Sequence, residues 1–267
     1  MSRIAALVYG GFAYLVFLGV TAWAIGFIGN FHFQIADGIY YVPLAIDFGR
    51  PPVPILEAVV IDGALLGLFA VQHSGMARQA FKSRITRVIS PAVERSTYVM
   101  ATNVCLLLLF WQWRTIGGTV WAFADGTGVA TALRAVNLGG WGLAFAATYM
   151  INHFELLGLQ QVVANARGVQ PPASEFRHPY LYRWIRHPLY LGFLVAFWAT
   201  PLMSWGHLLF AAASTGYILL AIQFEERDLI RMFGDRYRAY RQRVPMLLPR
   251  PGAGEPSAEP SVRREIV

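Results

Sequence analysis

Apolar residues in this chain run in long blocks that neither alternate like a half-buried strand nor keep to one stripe of a helix. Four blocks cover residues 5–28, 54–73, 97–116 and 135–158, each close to the roughly 20 helical residues needed to cross a hydrocarbon core of about 30 Å. A fifth run, 188–224, exceeds one span. Pro201, with Ser204, Trp205 and Gly206 beside it, divides that run into two helices near 188–200 and 206–224 that fold back as a hairpin of similar arms. The first arm is short for a perpendicular crossing, which calls for tilt or for a turn before the far face. The pattern therefore predicts an all-α, polytopic integral membrane bundle of about six transmembrane helices, the last two forming a hairpin. The first block is too long for a removable signal peptide and lacks a small-residue cleavage site.

Composition sharpens this picture. Of the 267 residues 56% are apolar and 14% are charged, with mean hydropathy +0.44, whereas soluble domains carry about 25% charged residues. A water-soluble globular fold is excluded. The net charge of +7 does not indicate nucleic acid, because 21 of the 22 basic residues are arginine and they gather at the ends of the apolar blocks. Nineteen of the 22 fall on one side of the bundle, in the segment before 5, the loops 74–96 and 159–187, and the part after 224. Basic loops stay in the cytoplasm, so both termini are expected there, with the protein in a bacterial inner membrane and the lipid bilayer as its main partner. No protein partner is implied. Residues 29–53, with Pro43, Pro51 and Pro52, are expected to form an ordered cap on the outer side, and 251–267 to be disordered. A single domain over 1–250 is expected. The one cysteine, Cys105, lies in an apolar run and excludes a disulfide framework or a cysteine-based metal site.

Ionisable groups inside spans cost roughly 2.5–3.5 kcal/mol each on insertion scales, so the few present invite a functional reading. Asp62 lies within the second block, either as an acid on a substrate path or as a buried partner of Asn103 or Arg114. Gln72, His73 and Ser74 close that block; Asn152, His153 and Glu155 close the fourth; Arg186, His187 and Pro188 open the fifth. Three separate helices thus bring polar groups to one depth, the inner-leaflet boundary. Interfacial anchoring is the plainer alternative for each residue alone. No H-E-x-x-H spacing appears, so no metal is expected.

The densest chemistry lies in 180–245. Pro188 suits a first helical turn, which sets Arg186 and His187 at a positive helix start. A returning hairpin arm carries Glu225 and Glu226 to the same face, with Tyr182, Tyr190, Tyr237 and Tyr240 nearby. Cationic groups, carboxylates and aromatic faces together suit a zwitterionic ligand with a sulfonium and a nucleobase, a description that S-adenosyl-L-methionine meets and that composition alone does not reserve for it.

The runs R-H-P-x-Y-x-G at 186–192, E-E-R-D-L at 225–229 and G-x-x-Y-x-x-Y-x-x-x-V-P at 234–245 resemble the C-terminal part of the isoprenylcysteine carboxyl methyltransferase superfamily of integral membrane enzymes. That resemblance implies an S-adenosyl-L-methionine site in about 176–250, with contacts from Arg186, His187, Tyr190, Glu225 and Tyr237; Glu226 and Tyr182 join them from the residue reading. VQHSGMAR at 71–78, ERSTYV at 94–99, NHFELLGLQQV at 152–162 and FWATPLMSWGHLLFA at 197–211 resemble its bacterial methanethiol-methylating branch, part of a wider membrane family associated with nitric-oxide and nitrite metabolism. A thiol acceptor, methanethiol, methylated to dimethyl sulfide is what this implies. His73 and His153 are then the bases to consider, with Glu155 or Asn152 orienting an imidazole, Asp62 holding a tautomer or relaying a proton, and Phe154, Trp198 and Met203 lining a small apolar pocket. A prenylcysteine-carboxyl or phospholipid methyltransferase, and a non-enzymatic nitrogen-oxide or haem protein, stay open as alternatives.

Overall fold

Start and stop signals, more than hydropathy, set the helix boundaries in the computed structural model, which describes residues 2–31, 33–35, 39–41, 44–48, 53–171 and 179–250. Helix α1 (Arg3–Gly29) starts where the Ser2 hydroxyl accepts from the Ala5 amide and ends at Asn30, whose φ of 51° stops the helix. After α2 (Ile55–Ala77) and the short α3 (Gln79–Ile85), α4 (Pro91–Gln112) begins six residues ahead of the apolar block that announces it. Its start is fixed by Ser90 as N-cap and Pro91 in the first turn. Its polar residues Ser96 and Asn103 are buried against protein rather than exposed to lipid.

Helix α5 (Gly128–Ile151) is likewise shifted towards the N-terminus, with Thr127 as its cap. It stops at Asn152, which leaves the helix and caps the four-residue α6 (His153–Leu156) through its own side chain. Gly158, at φ 87°, turns the chain into α7 (Leu159–Arg167). A Cβ there would meet Ser96 Oγ at 2.6 Å and Ser96 N at 2.8 Å, so glycine is required on both counts. A 3-10 turn (Tyr180–Arg183) precedes α8 (Pro188–Trp198); α9 (Trp205–Phe233) and α10 (Asp235–Arg243) follow, separated by Gly234.

Four of the described helices, α1, α2, α4 and α9, are long and apolar enough to cross a membrane. Helix α5 is as long but is not among them, since glycines, Arg134 and Asn137 interrupt its apolar run. The fold is mostly helical but not purely so. Strands β1 (Phe33–Ile35) and β2 (Ile39–Tyr41) pair antiparallel, as do β3 (Thr119–Ala122) and β4 (Leu202–Ser204). Strands of three or four residues leave no periodic trace in a sequence. The cap expected over 29–53 is described in part: residues 44–48 fold onto the ends of α1 and α9, where Asp47 meets Asn30, Ser204 and His207. Residues 32, 36–38, 42–43 and 49–52 of that segment, and the tail 251–267, lie outside the described residues.

Packing divides into two groups of helices. Helix α4 packs on α1 and α2, with α7 against α1, while α5 packs on α8. At the α5–α8 crossing Gly140 and Gly192 face each other: a Cβ on Gly140 would lie 2.7 Å from Gly192 O, and one on Gly192 would lie 2.6 Å from Gly140 O. Such close backbone approach is the small-residue mode of membrane helix packing. Asn137 reinforces it by donating to the Ala196 carbonyl at 2.6 Å.

The α8–α9 pair corrects the expectation of equal arms, since they have 11 and 29 residues. They nevertheless align. Trp198 Nε1 donates to Thr215 Oγ1 at 3.0 Å, and His187 Nε2 lies 3.1 Å from Glu226 Oε1. Eleven residues separate the two contacts on each helix, about 16 Å at 1.5 Å per residue. The first ten residues of α9 extend past the end of α8, touching it through His207 and Phe210 on Phe197, and pack on Trp113, Ile116 and β3.

Candidate functional site

Helices α2 and α4 meet at His73, with α9 against α2 beside it and α8 bonded to α9. Phe69, one turn earlier on α2, stacks on the His73 ring at 5.2 Å, and from α4 come Tyr98 and Thr102. The Thr102 hydroxyl donates to the Tyr98 carbonyl at 3.0 Å, so towards His73 it accepts, from Nδ1–H at 3.3 Å. The Tyr98 hydroxyl lies 2.9 Å from Nε2, the nitrogen this tautomer leaves able to accept, and 3.0 Å from Nδ1. Arg95 holds the Leu156 carbonyl at 2.7 Å and carries its guanidinium over the Tyr98 ring at 5.1 Å. From α9, Tyr217 bonds Ser74 Oγ at 3.0 Å. Tyr190 on α8 donates to Glu225 on α9 at 2.9 Å, and these two lie within electrostatic range of Tyr98.

Behind this cluster stands a buried ionic hub. Glu226 Oε1 accepts from Arg186 Nε at 2.7 Å and lies 3.1 Å from His187 Nε2, while its Oε2 meets Arg241 at 3.2 Å. Arg186 also donates to the carbonyls of Arg241, at 2.9 Å, and Val244. The amides of Arg186 and His187 donate to Pro245 and Met246. Tyr240 donates to the Tyr182 carbonyl at 2.6 Å, and Tyr237 is buried beside it. Burial pushes the Tyr182, Tyr237 and Tyr240 phenols above their ordinary range, which keeps them neutral.

The residues singled out from the sequence therefore separate into groups. Tyr190 and Glu225 lie within electrostatic range of Tyr98, the residue bonded to His73, and the Glu225 side chain is 45% exposed. His187 is buried, tilted against Tyr190 at 5.7 Å and 4.0 Å from Glu225. Arg186, Glu226, Tyr182 and Tyr237 form the wall behind them, spent on protein partners.

His153 sits apart, in a box of Tyr14, Phe17, Tyr149 and Phe154, with Tyr149 stacked at 4.1 Å. Thr148 donates its hydroxyl to the Phe145 carbonyl at 2.7 Å and so accepts from His153 Nδ1–H at 2.8 Å; Nε2 accepts from Tyr14 at 3.1 Å. Both nitrogens are occupied and the residue is 2% exposed. Thr148 and Tyr14, not Glu155 or Asn152, orient this ring. Asn152 instead bonds Glu155 at 2.9 Å and Gln160 at 2.7 Å.

Asp62 is eleven residues before His73 on α2, about 16 Å along the axis. Its Oδ1 accepts from the Arg114 amide at 2.8 Å, which decides between its two expected partners and leaves it outside the cluster. Nor do Phe154, Trp198 and Met203 form one pocket: Phe154 packs on His153, Trp198 is bonded to Thr215, and Met203 is buried in β4. Tyr98, Arg95 and Tyr217 were not singled out from the sequence as site residues. The ERSTYV run contains the first two, but nothing in its spacing says that they face α9.

The sequence is 51% identical over 251 residues, 94% of this chain and 98% of the relative, to a methanethiol S-methyltransferase of Mycobacterium tuberculosis. It is 42% identical over 249 residues, 93% of either chain, to a protein of the same name from Crocosphaera subtropica. Over 209 residues, 75% of this chain and 77% of the relative, it is 34% identical to Nurim of Mus musculus. No family model matches the chain, and no solved structure does.

Proposed function

This chain belongs to the methanethiol S-methyltransferase family, and we propose that it methylates methanethiol to dimethyl sulfide with S-adenosyl-L-methionine as donor, at the cytoplasmic face of a bacterial inner membrane. The observation that carries the reading is the convergence of His73, Tyr98, Tyr190 and Glu225 from four helices at one end of the bundle. The proposed topology has six crossings with both termini cytoplasmic, α8 and α9 forming the last hairpin. It supports the reading because it sets that end among the basic loops.

The groups present fit the donor. Glu225 offers a partly exposed carboxylate to an ammonium or ribose hydroxyl, and the rings of Tyr98 and Tyr190 offer faces to a sulfonium or an adenine. His187 is a positioning residue that steadies Tyr190 and Glu225, and Glu226 and Arg186 hold His187 in turn. When bound, the donor supplies a sulfonium methyl group for in-line transfer to the thiol sulfur, leaving a thioether.

The protein's contribution is alignment and removal of the thiol proton. Alignment alone is worth up to about 7–11 kcal/mol. Methanethiol is mostly protonated at neutral pH, and the thiolate is the nucleophile. Tyr98 passes the thiol proton to Nε2 of His73, whose tautomer Thr102 sets, while Arg95 provides positive charge beside the forming thiolate. His153, with both nitrogens engaged, holds α1 to α5 instead. Membranes containing the protein, supplied with S-adenosyl-L-methionine and methanethiol, are expected to release dimethyl sulfide, measured by headspace gas chromatography. Methylation of a prenylcysteine or a phospholipid amine in its place, by folded protein, refutes the thiol assignment.

A further inference from the structure

The imidazole of His73 is held on one side by the polar groups of α4 and covered on another by the ring of Phe69, with Tyr217 packed against Phe69. Phe69 stacks on it at 5.2 Å and 18°. Tyr217 brings its ring to that of Phe69 at 5.9 Å and 72°, and its hydroxyl to Ser74 at 3.0 Å. Nearer the cytosol, Arg78 closes the same seam between α2 and α9, lying 4.3 Å over the Phe224 ring and 3.5 Å from Asp228. Apolar surface beside His73 is thus supplied from this seam, whereas Arg95, Tyr98, Tyr190 and Glu225 make the remaining surroundings polar or charged.

Resting on the functional reading above, we propose that Phe69 and Tyr217 determine acceptor specificity by filling the space that the tail of a longer thiol needs. A methyl group ends where these rings begin, and each added methylene must displace one of them. One methylene in an apolar pocket is commonly worth about 10- to 200-fold in discrimination. The site is therefore selective for the shortest alkanethiols because of two side chains.

The test compares turnover of methanethiol, ethanethiol and 1-butanethiol by membranes carrying the wild type, Phe69→Ala, Phe69→Leu, Tyr217→Ala, Tyr217→Phe and Val71→Ala, the last a truncation at an exposed position of α2. The wild type is expected to favour methanethiol. Phe69→Ala and Tyr217→Ala are expected to raise the ratio of 1-butanethiol to methanethiol turnover at least about tenfold. Tyr217→Phe, which keeps the ring, and Val71→Ala are expected to leave that ratio unchanged. Should Phe69→Ala fail to fold, Phe69→Leu carries the test with a smaller shift in the same direction. A wild type that turns over 1-butanethiol as readily as methanethiol overturns the inference, as does an unchanged ratio in the active variants. A wild type that methylates no thiol overturns the functional reading itself, a different and separately visible result.

Discussion

Glu226→Ala removes a carboxylate shared by Arg186, His187 and Arg241, and the geometry ranks what each loses. Side-chain exposure is 4% for Glu226, 10% for Arg186, 4% for His187 and 47% for Arg241. Removing one partner of a buried ion pair costs about 3–5 kcal/mol, because the other is left uncompensated. Arg186 retains the carbonyls of Arg241 and Val244, which places the expected loss at the lower end, about 3 kcal/mol. Arg241 is half exposed and its contact is screened by water, so Arg241→Ala should cost less than about 1 kcal/mol. The order expected is Glu226→Ala well below Arg241→Ala, with Glu226→Gln between them because the amide oxygen still accepts a hydrogen bond. The hub also positions His187 against Tyr190 and Glu225, so donor affinity should fall along the same order. Unfolding of detergent-solubilised protein, read beside calorimetric titration with S-adenosyl-L-methionine, measures both. Equal losses in Glu226→Ala and Arg241→Ala would show that the buried pairs do not bear this load.

Three further outcomes are expected. His73→Ala should slow methyl transfer by about 10²- to 10⁴-fold near neutral pH with donor affinity retained, and its rate should recover as rising pH ionises the thiol in solution; a loss that ignores pH counts against a base. His153→Ala should leave transfer kinetics near wild type and lower stability by about 1–3 kcal/mol, since the hydroxyls of Tyr14 and Thr148 lose their partner; kinetics that follow His73→Ala would reverse the assignment. Gly192→Ala sets a Cβ 2.6 Å from Ala144 N and Gly140 O and should cost about 1–3 kcal/mol in unfolding experiments, whereas Gly216→Ala, with nothing within 4 Å, should cost nothing.

The spans were legible because hydrophobic length is a property of the chain read in one dimension, and 5–28 and 54–73 coincide with α1 and α2 to within a few residues. Pro201 likewise marked the break between α8 and α9. Boundaries drifted where polar residues continue a helix: PAVERS opens α4 ahead of its apolar block, and EERDLIR continues α9 beyond its apolar part until Gly234 stops it. The site was legible as a set of depths. His73 and His153 both end an apolar block beside other polar groups, so spacing could not separate them. The difference lies in which hydroxyls reach each ring across the bundle, Thr102 and Tyr98 in one case and Thr148 and Tyr14 in the other, and that depends on packing between distant segments.

The C-terminal motifs illustrate how one run of residues serves two ends. In R-H-P-x-Y the tyrosine reaches Glu225 while the arginine and histidine face inward to Glu226, so a single turn presents a ligand-facing group and anchors it. In V-P at 244–245 the proline follows directly on the residue after α10, and its carbonyl accepts the Arg186 amide as the next accepts His187. Segments 186–187 and 245–246 thus run side by side through backbone bonds that no side-chain pattern encodes. The antiparallel register of α8 and α9 carries the same constraint upwards: Trp198 on Thr215 and His187 on Glu226 are one rigid alignment read at two heights. A residue deleted from α9 between Thr215 and Glu226 would rotate the glutamates by about 100° and break the hub, whereas one deleted among the ten residues projecting beyond α8 leaves that alignment intact.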